Sequence, residues 1–392
     1  MTNWKTCKLS DVVNLISGFA YKSSDWKESG VPVLKITNVR NGRVRLEGCS
    51  YITEKLADET INFQIKKGDL LITLTGEIGA TGFYSEDFKA RLNQRVGRLI
   101  PKSDVDVNLR YVAYFLESPM AREIMWSTAK GIAQANISPK EVLGLDIPLP
   151  SIDEQHKIVE LLEDHLSRLD AALADVKQAK LKAAQFRRSL LQAAFTGNLD
   201  AHDSEMETEL AEDWRQERFG DIFKVKYGKA IDKSLRMEFA EYPVVGSAGV
   251  MTYTKIPLTT EPTIVIGRKG NVGSIQIFKE GCYPIDTTYY MPTISDFDID
   301  FLTFQLTSLE LVKLDSSTAT PSLRREDLEN VQLVVPPMEE QLKIVALLES
   351  HLSRLDSMLQ LGNVMEKQSA GFRRSLLQAA FTGQLTKEVG SV

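Results

Sequence analysis

Cysteine and histidine are scarce in this chain, three and four among 392 residues. Cys7, Cys49 and Cys282 lie far apart, odd in number and without metal-ligand spacing, which reads as reduced thiols in a cytoplasm. No apolar run approaches the ~20 residues that span a bilayer. The opening MTNWKTCKLSDVV lacks the apolar centre of a secretory signal. Catalytic signatures are missing as well. GRKGNVGS (267–274) has the glycines of a phosphate loop but not the Gly-Lys-Ser/Thr ending that lets a lysine reach phosphates. No G-x-G-x-x-G joins a strand to a helix with an acidic residue downstream, so a nicotinamide or methyl-donor pocket is unsupported. Val334-Val335-Pro336-Pro337 lacks the Asn or Asp that opens the catalytic tetrapeptide of amino-methyltransferases. Neither HExxH nor paired CxxC occurs, and no carboxylate pair is singled out by spacing. These absences point to a binder rather than an enzyme.

A net charge of −6 argues at first against a polyanionic ligand. Its distribution changes that. Residues Asp200–Asp213 hold seven acidic and no basic side chains, and without them the chain stands at +1. Neither half is basic enough to hold DNA by bulk electrostatics, so local patches and a partner would have to supply affinity.

What the chain does have is a repeat. FRRSLLQAAFTG occurs at Phe186–Gly197 and again at Phe372–Gly383, 186 residues on. The same offset aligns Pro150–Leu199 with Pro336–Leu385 without a gap, at 30 identities in 50 positions. Glu154–Asp170 matches its copy at 14 of 17 positions and the twelve-residue string at all 12, while the 15 residues between match at two. Preserved ends around a divergent middle suggest one task performed twice, most simply the holding of two copies of one partner. Internal repetition of this kind organises everything else.

Each half places a variable domain before its repeated helix. In the first, VPVLKITNVRNGRVRLEG carries Asn41-Gly42 between alternating runs, the signal of a two-residue β-hairpin. GDLLITLTGEIGATG (68–82) reads as a buried strand entering a glycine turn, and 109–128 has helical spacing. In the second, Trp214 and Asp221 answer Trp4 and Asp11, and TIVIGRKGNVGS sets Gly270 and Gly273 opposite Gly76 and Gly79. STATPSLRREDLENVQLVVPP answers GIAQANISPKEVLGLDIPLP, and the second domain is 24 residues shorter from Trp to the Glu-Gln pair. The two domains read as one fold with different loops.

In the first helix Ser151 and Glu154 form a capping-box pattern, and Gly197 stands where a C-terminal cap belongs. Between them apolar residues recur in steps of four and three, a coiled-coil seam. The seam positions are Ile158, Leu162, His165, Leu169, Phe186 and Leu190, with Ile344, Leu348, His351, Leu355, Phe372 and Leu376 in the copy. About 44 residues make a rod roughly 65 Å long. His165 and His351 read as polar register-setting residues, with a metal site or pH switch the alternative. In the second helix Gly362-Asn363 predict a kink or a local weakening.

Two dissimilar domains, each followed by a Glu-Gln helix ending F-R-R-S-L-L-Q-A-A-F-T-G-x-L, resemble the specificity subunit of type I restriction-modification systems across essentially the whole chain. The resemblance implies a mixed α+β architecture: two pseudo-symmetric α/β target recognition domains separated by two long antiparallel coiled-coil helices. The divisions are 1–150 and 214–336 for the recognition domains, 151–199 and 337–386 for the spacer helices, and 200–213 for an acidic linker. It implies a cytoplasmic, non-catalytic subunit in which each domain reads half of a bipartite, asymmetric target in double-stranded DNA. The helices would dock two methyltransferase subunits, with restriction-translocase subunits joining through the complex. No cofactor or metal would be bound by this chain; S-adenosylmethionine, ATP and magnesium belong to the partners. The contrasting readings are a coiled-coil protein scaffold without DNA specificity, or an enzyme such as a nuclease.

Base-reading residues do not transfer within such a family, so candidates follow from chemistry: Asn and Gln pair with adenine, Arg and Lys with guanine, Ser and Thr with either. In the first domain they are Lys35, Asn38, Arg40, Asn41, Arg43, Thr75, Asn93, Gln94, Arg95, Gln134 and Asn136; in the second, Arg268, Lys269, Asn271, Thr287, Thr288, Thr318 and Thr320. Glu77, beside the first glycine turn, is a poor phosphate neighbour. The repeated off-seam residues Arg187, Arg188, Leu191 and Gln192, with Arg373, Arg374, Leu377 and Gln378, form the expected partner-docking face.

Overall fold

The computed structural model describes residues 4–40, 42–129, 135–195, 213–315 and 321–386. Asn41, Gln134, Thr318 and Thr320 among the candidates, the helix-capping Gly197, and 200–212 of the acidic linker lie outside them. The chain divides into two compact units, one of residues 1–175 with 364–392, the other of 176–363. Both boundaries fall inside the long helices, Ile152–Ala194 and Met338–Phe381, within their divergent middles. Each unit therefore combines one mixed domain, the start of the helix that follows it, and the end of the other helix.

In the first unit the strand Lys5–Lys8 pairs antiparallel with Asp146–Leu149, which leads straight into the first long helix. The second unit repeats this with Arg215–Arg218 and Gln332–Val335. A six-stranded sheet in the first unit runs Val13–Ser17, Val96–Pro101, Leu70–Thr73, Thr81–Phe83, Gly42–Val44, Val39–Arg40. Leu70–Thr73, apolar on both faces, is buried throughout. The expected hairpin forms: Arg40 lies opposite Arg43, leaving two residues for the turn, with Gly42 at φ +71°. The second unit has a four-stranded sheet ordered Lys226–Tyr227, Thr288–Pro292, Thr263–Gly267, Ile275–Phe278.

The start of each long helix is fixed by a glutamine with its side chain inside the protein. Gln155, 1% exposed, accepts a hydrogen bond from the Asn108 backbone N–H (2.9 Å) and donates to the Pro150 carbonyl (3.0 Å). Gln341, fully buried, accepts from the Asp298 N–H (2.9 Å) and donates to the carbonyls of Pro336 (3.0 Å) and Asp296 (2.9 Å). Asn108 and Asp298 are themselves the N-caps of the domain helices Leu109–Glu117 and Ile299–Ser308. One side chain thus joins the start of a long helix to the start of a domain helix. The capping box of the first helix is only half present: the Glu154 N–H reaches Ser151 Oγ (3.4 Å), but the Glu154 carboxylate accepts from Thr386 Oγ1 (2.6 Å) instead. Gly383 ends the second helix at φ +72°, with the Gln384 N–H donating back to the Ala379 carbonyl (2.9 Å), a left-handed glycine cap.

Helix segments run antiparallel within each unit. In the first, Arg373 pairs with Asp170 (2.5 Å) and Thr386 with Glu154; in the second, Arg187 pairs with Asp356 (2.9 Å) and Lys180 with Asn363 (2.7 Å). Ile158, Leu162 and Leu166 join Leu376, Leu377, Ala380 and Phe381 in one buried core. Ile344, Leu348 and Leu352 join Leu191, Ala194 and Phe195 in the other. Phe381 packs on Tyr111 and Phe115, with ring centroids 5.1 and 5.6 Å away, and Phe195 packs on Phe301 at 5.3 Å.

The seam departs from the expected heptad at its far end. Ile158, Leu162, Ile344, Leu348 and Leu376 are buried, and His165, Leu169, Leu190, His351 and Leu355 are half-buried. Phe186 and Phe372, however, stand 49% and 50% exposed, while Leu191 and Leu377 are 6% and 5% exposed. The cause is the mismatch between 3.6 and 3.5 residues per turn, a drift of ~20° per heptad in a straight helix. From Ile158 to Phe186 is four heptads, so the buried stripe slips by nearly one residue. Leu191 then takes the inner position expected for Leu190, and Arg187, still exposed, reaches across to Asp356 where Phe186 was expected to pack. The second helix also runs unbroken through Gly362. That glycine is buried, and a β-carbon there would lie 3.2 Å from Val176 Cγ1 and 3.3 Å from Lys180 Cε, so it admits the opposing helix rather than marking a break.

Replacing Gln341 with leucine should leave the Pro336 carbonyl buried without a partner, at a cost of about 1–3 kcal/mol, and remove one bond each from the partly buried Asp298 N–H and Asp296 carbonyl. Urea denaturation of Gln341→Leu and Gln155→Leu measures it; midpoints equal to wild type would show that the glutamines bear no load.

Candidate nucleic-acid interface

The glycine turns have the same backbone in both units. Gly76 and Gly79 have φ +76° and +77°, Gly270 and Gly273 +79° and +74°. In each, the second glycine's N–H closes back on the strand end, Gly79 to the Thr73 carbonyl (3.0 Å) and Gly273 to the Gly267 carbonyl (2.8 Å). Only glycine adopts these angles without steric cost. A second loop is tied to the turn: Leu74 N–H donates to the Arg95 carbonyl (2.9 Å), and Arg268 N–H to the Thr287 carbonyl (2.9 Å). A third joins through Ile137 N–H to Leu74 O and Leu323 N–H to Arg268 O, both 2.9 Å. Three loops some 20 to 60 residues apart in sequence thus meet at one edge in each unit.

Most of the candidates fall on this frame. Gln94, Arg95, Asn136, Lys269 and Asn271 are exposed there, and Asn93, Arg268 and Thr287 are half-buried. Arg268 is held ready. Its guanidinium lies over Tyr227 at 5.2 Å and Tyr289 at 5.9 Å, and Nη1 donates to the Asp286 carbonyl (3.0 Å). Tyr227, itself 48% exposed, was not singled out by the sequence reasoning, because an isolated tyrosine on a short strand carries no motif. Arg40 and Arg43 project from the hairpin, and Arg40 Nε lies 3.8 Å from Glu77, tying the hairpin to the glycine turn and matching the carboxylate that stood there unexplained. Both partners are more than half exposed, so the pair is worth little to stability.

Three of the expected base readers are interior and hold the loops instead. Asn38, 1% exposed, accepts from the Lys35 N–H (2.9 Å) and donates to the carbonyls of Arg45 (2.9 Å) and Glu47 (3.1 Å). Thr75, 4% exposed, donates to Asn136 Oδ1 (2.7 Å), and fully buried Thr288 donates to the Ile285 carbonyl (2.7 Å). Lys35 is also engaged locally, bonding Ser50 Oγ (2.6 Å) with its ammonium 4.3 Å from the Trp26 ring centroid.

The repeated helix ends need a similar correction. Leu191 and Leu377 are core residues and unavailable to a partner, and Arg187 and Arg373 are spent on Asp356 and Asp170. Arg188 pairs with Glu310 (2.7 Å). What both copies leave facing solvent is Phe186, Arg188 and Gln192, with Phe372, Arg374 and Gln378. The two phenylalanines were assigned to the seam, and the identity of the string was the signal that could have found them.

Among the described residues no group of His, Cys, Asp and Glu could hold a metal ion, and no helix is long and apolar enough to cross a membrane. The turn's rigidity is testable. Gly270→Ala, whose β-carbon would meet only Ser247 Oγ at 3.4 Å, should cost about 1 kcal/mol for its φ. Gly273→Ala would set a β-carbon 2.7 Å from the Val312 backbone nitrogen and should lose clearly more in thermal or urea melts.

The family described as type I restriction modification DNA specificity domain matches residues 1–182 and 211–367. The EcoBI specificity subunit of Escherichia coli is 26% identical over 203 residues, 51% of this chain and 42% of that one. The MjaVIII specificity subunit of Methanocaldococcus jannaschii is 28% identical over 202 residues, covering 46% of its length, so the chain spans less than half of these two relatives. The StySPI specificity subunit of Salmonella potsdam aligns at 22% over 98% of this chain and 90% of its own. In fold, the chain is similar to the HsdS subunit of Thermoanaerobacter tengcongensis, with a TM-score of 0.64 at 16% identity over 97% of each chain. A solved chain from work on assembly and conformational transition of a type I R-M system gives 0.75 at 16%, covering 97% and 98%. With both of its halves matched, this chain belongs to the type I restriction modification DNA specificity family.

Proposed function

We propose that the chain is the sequence-reading subunit of a type I restriction-modification complex, each mixed domain reading one half of a split, asymmetric target in double-stranded DNA. One observation carries this reading. The three ties that set the loop frame recur in both units, while the accessible side chains mounted on it differ: Gln94, Arg95 and Asn136 against Lys269, Asn271, Thr287 and Ser322. A frame kept constant under exchanged polar groups suits two readers of different bases. A protein scaffold would have no use for matched loops carrying unmatched donors.

The chain acts without chemistry of its own in this reading, and works in the cytoplasm. Phe186, Arg188 and Gln192, with Phe372, Arg374 and Gln378, are the face for two methyltransferase subunits, through which restriction subunits join. S-adenosylmethionine, ATP and magnesium act on those partners. Exposed phenylalanines at identical places in both copies support a shared partner, since large exposed aromatics beside arginine mark interface anchors.

Exchanging residues 214–335 for the corresponding domain of another family member should change one half of the methylated sequence and leave the other intact. Sequencing of modified bases in cells expressing the chain with its methyltransferase reads this directly; alteration of both halves would reject independent reading.

A further inference from the structure

A fourth segment is tied to the loop frame in both units. In the first, Gly18 N–H donates to the Val96 carbonyl (3.0 Å), Phe19 N–H to the Leu92 carbonyl (2.8 Å), and Gln94 N–H back to the Phe19 carbonyl (2.9 Å). In the second, Gly228 N–H donates to the Thr288 carbonyl (3.1 Å) and Lys229 N–H to the Pro284 carbonyl (3.0 Å). The acceptors correspond, since Leu92 and Val96 flank Arg95 at the same spacing as Pro284 and Thr288 flank Thr287. Glycine is what lets the segment lie so close. A β-carbon on Gly18 would sit 2.3 Å from the carbonyl oxygens of Leu92 and Asn93, and one on Gly228 2.0 Å from that of Ile285. The residue after the glycine is therefore held at one place on the frame, next to exposed Gln94 in the first unit. Its side chain is exchanged between the units: Phe19 in one, Lys229 in the other, both exposed.

Phe19 has no hydrogen bond to make, and its ring is banked on others. The rings of Tyr21 and Phe63 lie 5.0 and 5.5 Å from it. Tyr21 is held in turn by Trp26 at 5.6 Å and by its hydroxyl on Thr60 Oγ1 (3.1 Å). Phe19 nonetheless stands 36% exposed, against 9% for Tyr21. Three parts of duplex DNA are apolar enough to meet such a ring. Deoxyribose is the same at every base and gives no reason to exchange Phe19 for Lys229. The face of a base is covered by stacking unless a side chain wedges the step apart. A wedge must stand clear of its own protein, and a ring packed on two neighbours does not. What remains is the 5-methyl group of thymine, the apolar group that a base edge presents in the major groove. In the second unit Lys229 brings the opposite chemistry to the same place, a donor suited to guanine O6 and N7.

We propose that Phe19 is a specificity-determining residue that packs on the 5-methyl of one thymine in the half-site read by the first unit. The proposal rests on the reading that each mixed domain recognises half of a DNA target, and it adds an apolar reader to a frame otherwise loaded with hydrogen-bonding groups.

The test is uracil scanning. Exchange of residues 214–335 identifies the half-site that belongs to the first unit. Each of its thymines, on either strand, is then replaced singly by uracil, which removes the methyl and keeps the base pair. Competition binding is measured with the full chain and its methyltransferase subunits. One uracil should weaken wild-type binding about fourfold, the worth of one buried methyl-sized group. Phe19→Ala and Phe19→Lys should bind the thymine and uracil duplexes equally, while uracils in the other half-site act as in wild type. Each variant is compared with itself on two duplexes, so a partly folded preparation leaves the ratio unchanged. If Phe19→Ala fails to fold, Phe19→Lys, whose side chain the second unit carries at this place, gives the same reading. A thymine preference that survives in the variants would overturn the assignment. So would a first half-site without thymine, or sequence-selective binding indifferent to every uracil in it; each of these leaves the DNA-reading function standing. Absence of sequence-selective binding by the wild-type complex would overturn both.

Discussion

Within each unit, a preserved helix start packs against the other copy's preserved end, and everything else is mounted on that contact. Leu162 and Leu166 share a core with Leu377 and Phe381, and Leu348 and Leu352 with Leu191 and Phe195. The ion pairs obey the same rule, Arg373 with Asp170 and Arg187 with Asp356. Such self-complementarity is familiar from symmetric dimers, where residue i meets j and j meets i. Here it binds one polypeptide. A substitution at one end must suit a surface that exists in the other copy, which explains why the ends match at 14 of 17 and 12 of 12 positions while the middles drift. Much of the identity first read as a partner's footprint is therefore internal packing.

The same division between frame and load runs through the domains. Glycines at positive φ, backbone ties between loops, and interior Asn38, Thr75 and Thr288 fix where the loops lie. Exposed Gln94, Lys269 and Asn271 make none of these ties with their side chains and are free to differ. The second domain, 24 residues shorter, keeps the three loops and loses material elsewhere; where the first has the helix Pro119–Thr128 against its glycine turn, the described residues of the second have only the single turn Leu311–Leu314.

Periodicity and punctuation made the large features legible: the two long helices, the hairpin at Gly42, and the kinship of the glycine turns. Each rests on local rules, a 3.6 or 2.0 period or a residue that only one turn tolerates. What was not legible depends on distant neighbours. Phe186 and Leu191 exchanged roles because a small angular drift accumulates over four heptads, and no local window reveals it. Thr75 looked like a base reader because a threonine beside a glycine turn gives no sign of the asparagine 61 residues away that accepts its proton. Gln155 and Gln341 sat in plain view inside the repeat, but their partners, a helix N-cap and a proline carbonyl, are set by tertiary structure alone.

The assignment of helix ends to units has a consequence during synthesis. The first unit takes Leu376, Leu377, Ala380, Phe381 and Leu385 into its core, so its own helix start leaves the ribosome with Ile158, Leu162 and Leu166 uncovered. At typical elongation rates of 5–20 residues per second, that stripe waits roughly 10–40 s for its cover. The 176–363 unit, assembled from contiguous sequence, closes first. The nascent first domain is meanwhile a sticky half-product, able to pair with the same stretch of a neighbouring chain, and its safety rests on how quickly translation finishes.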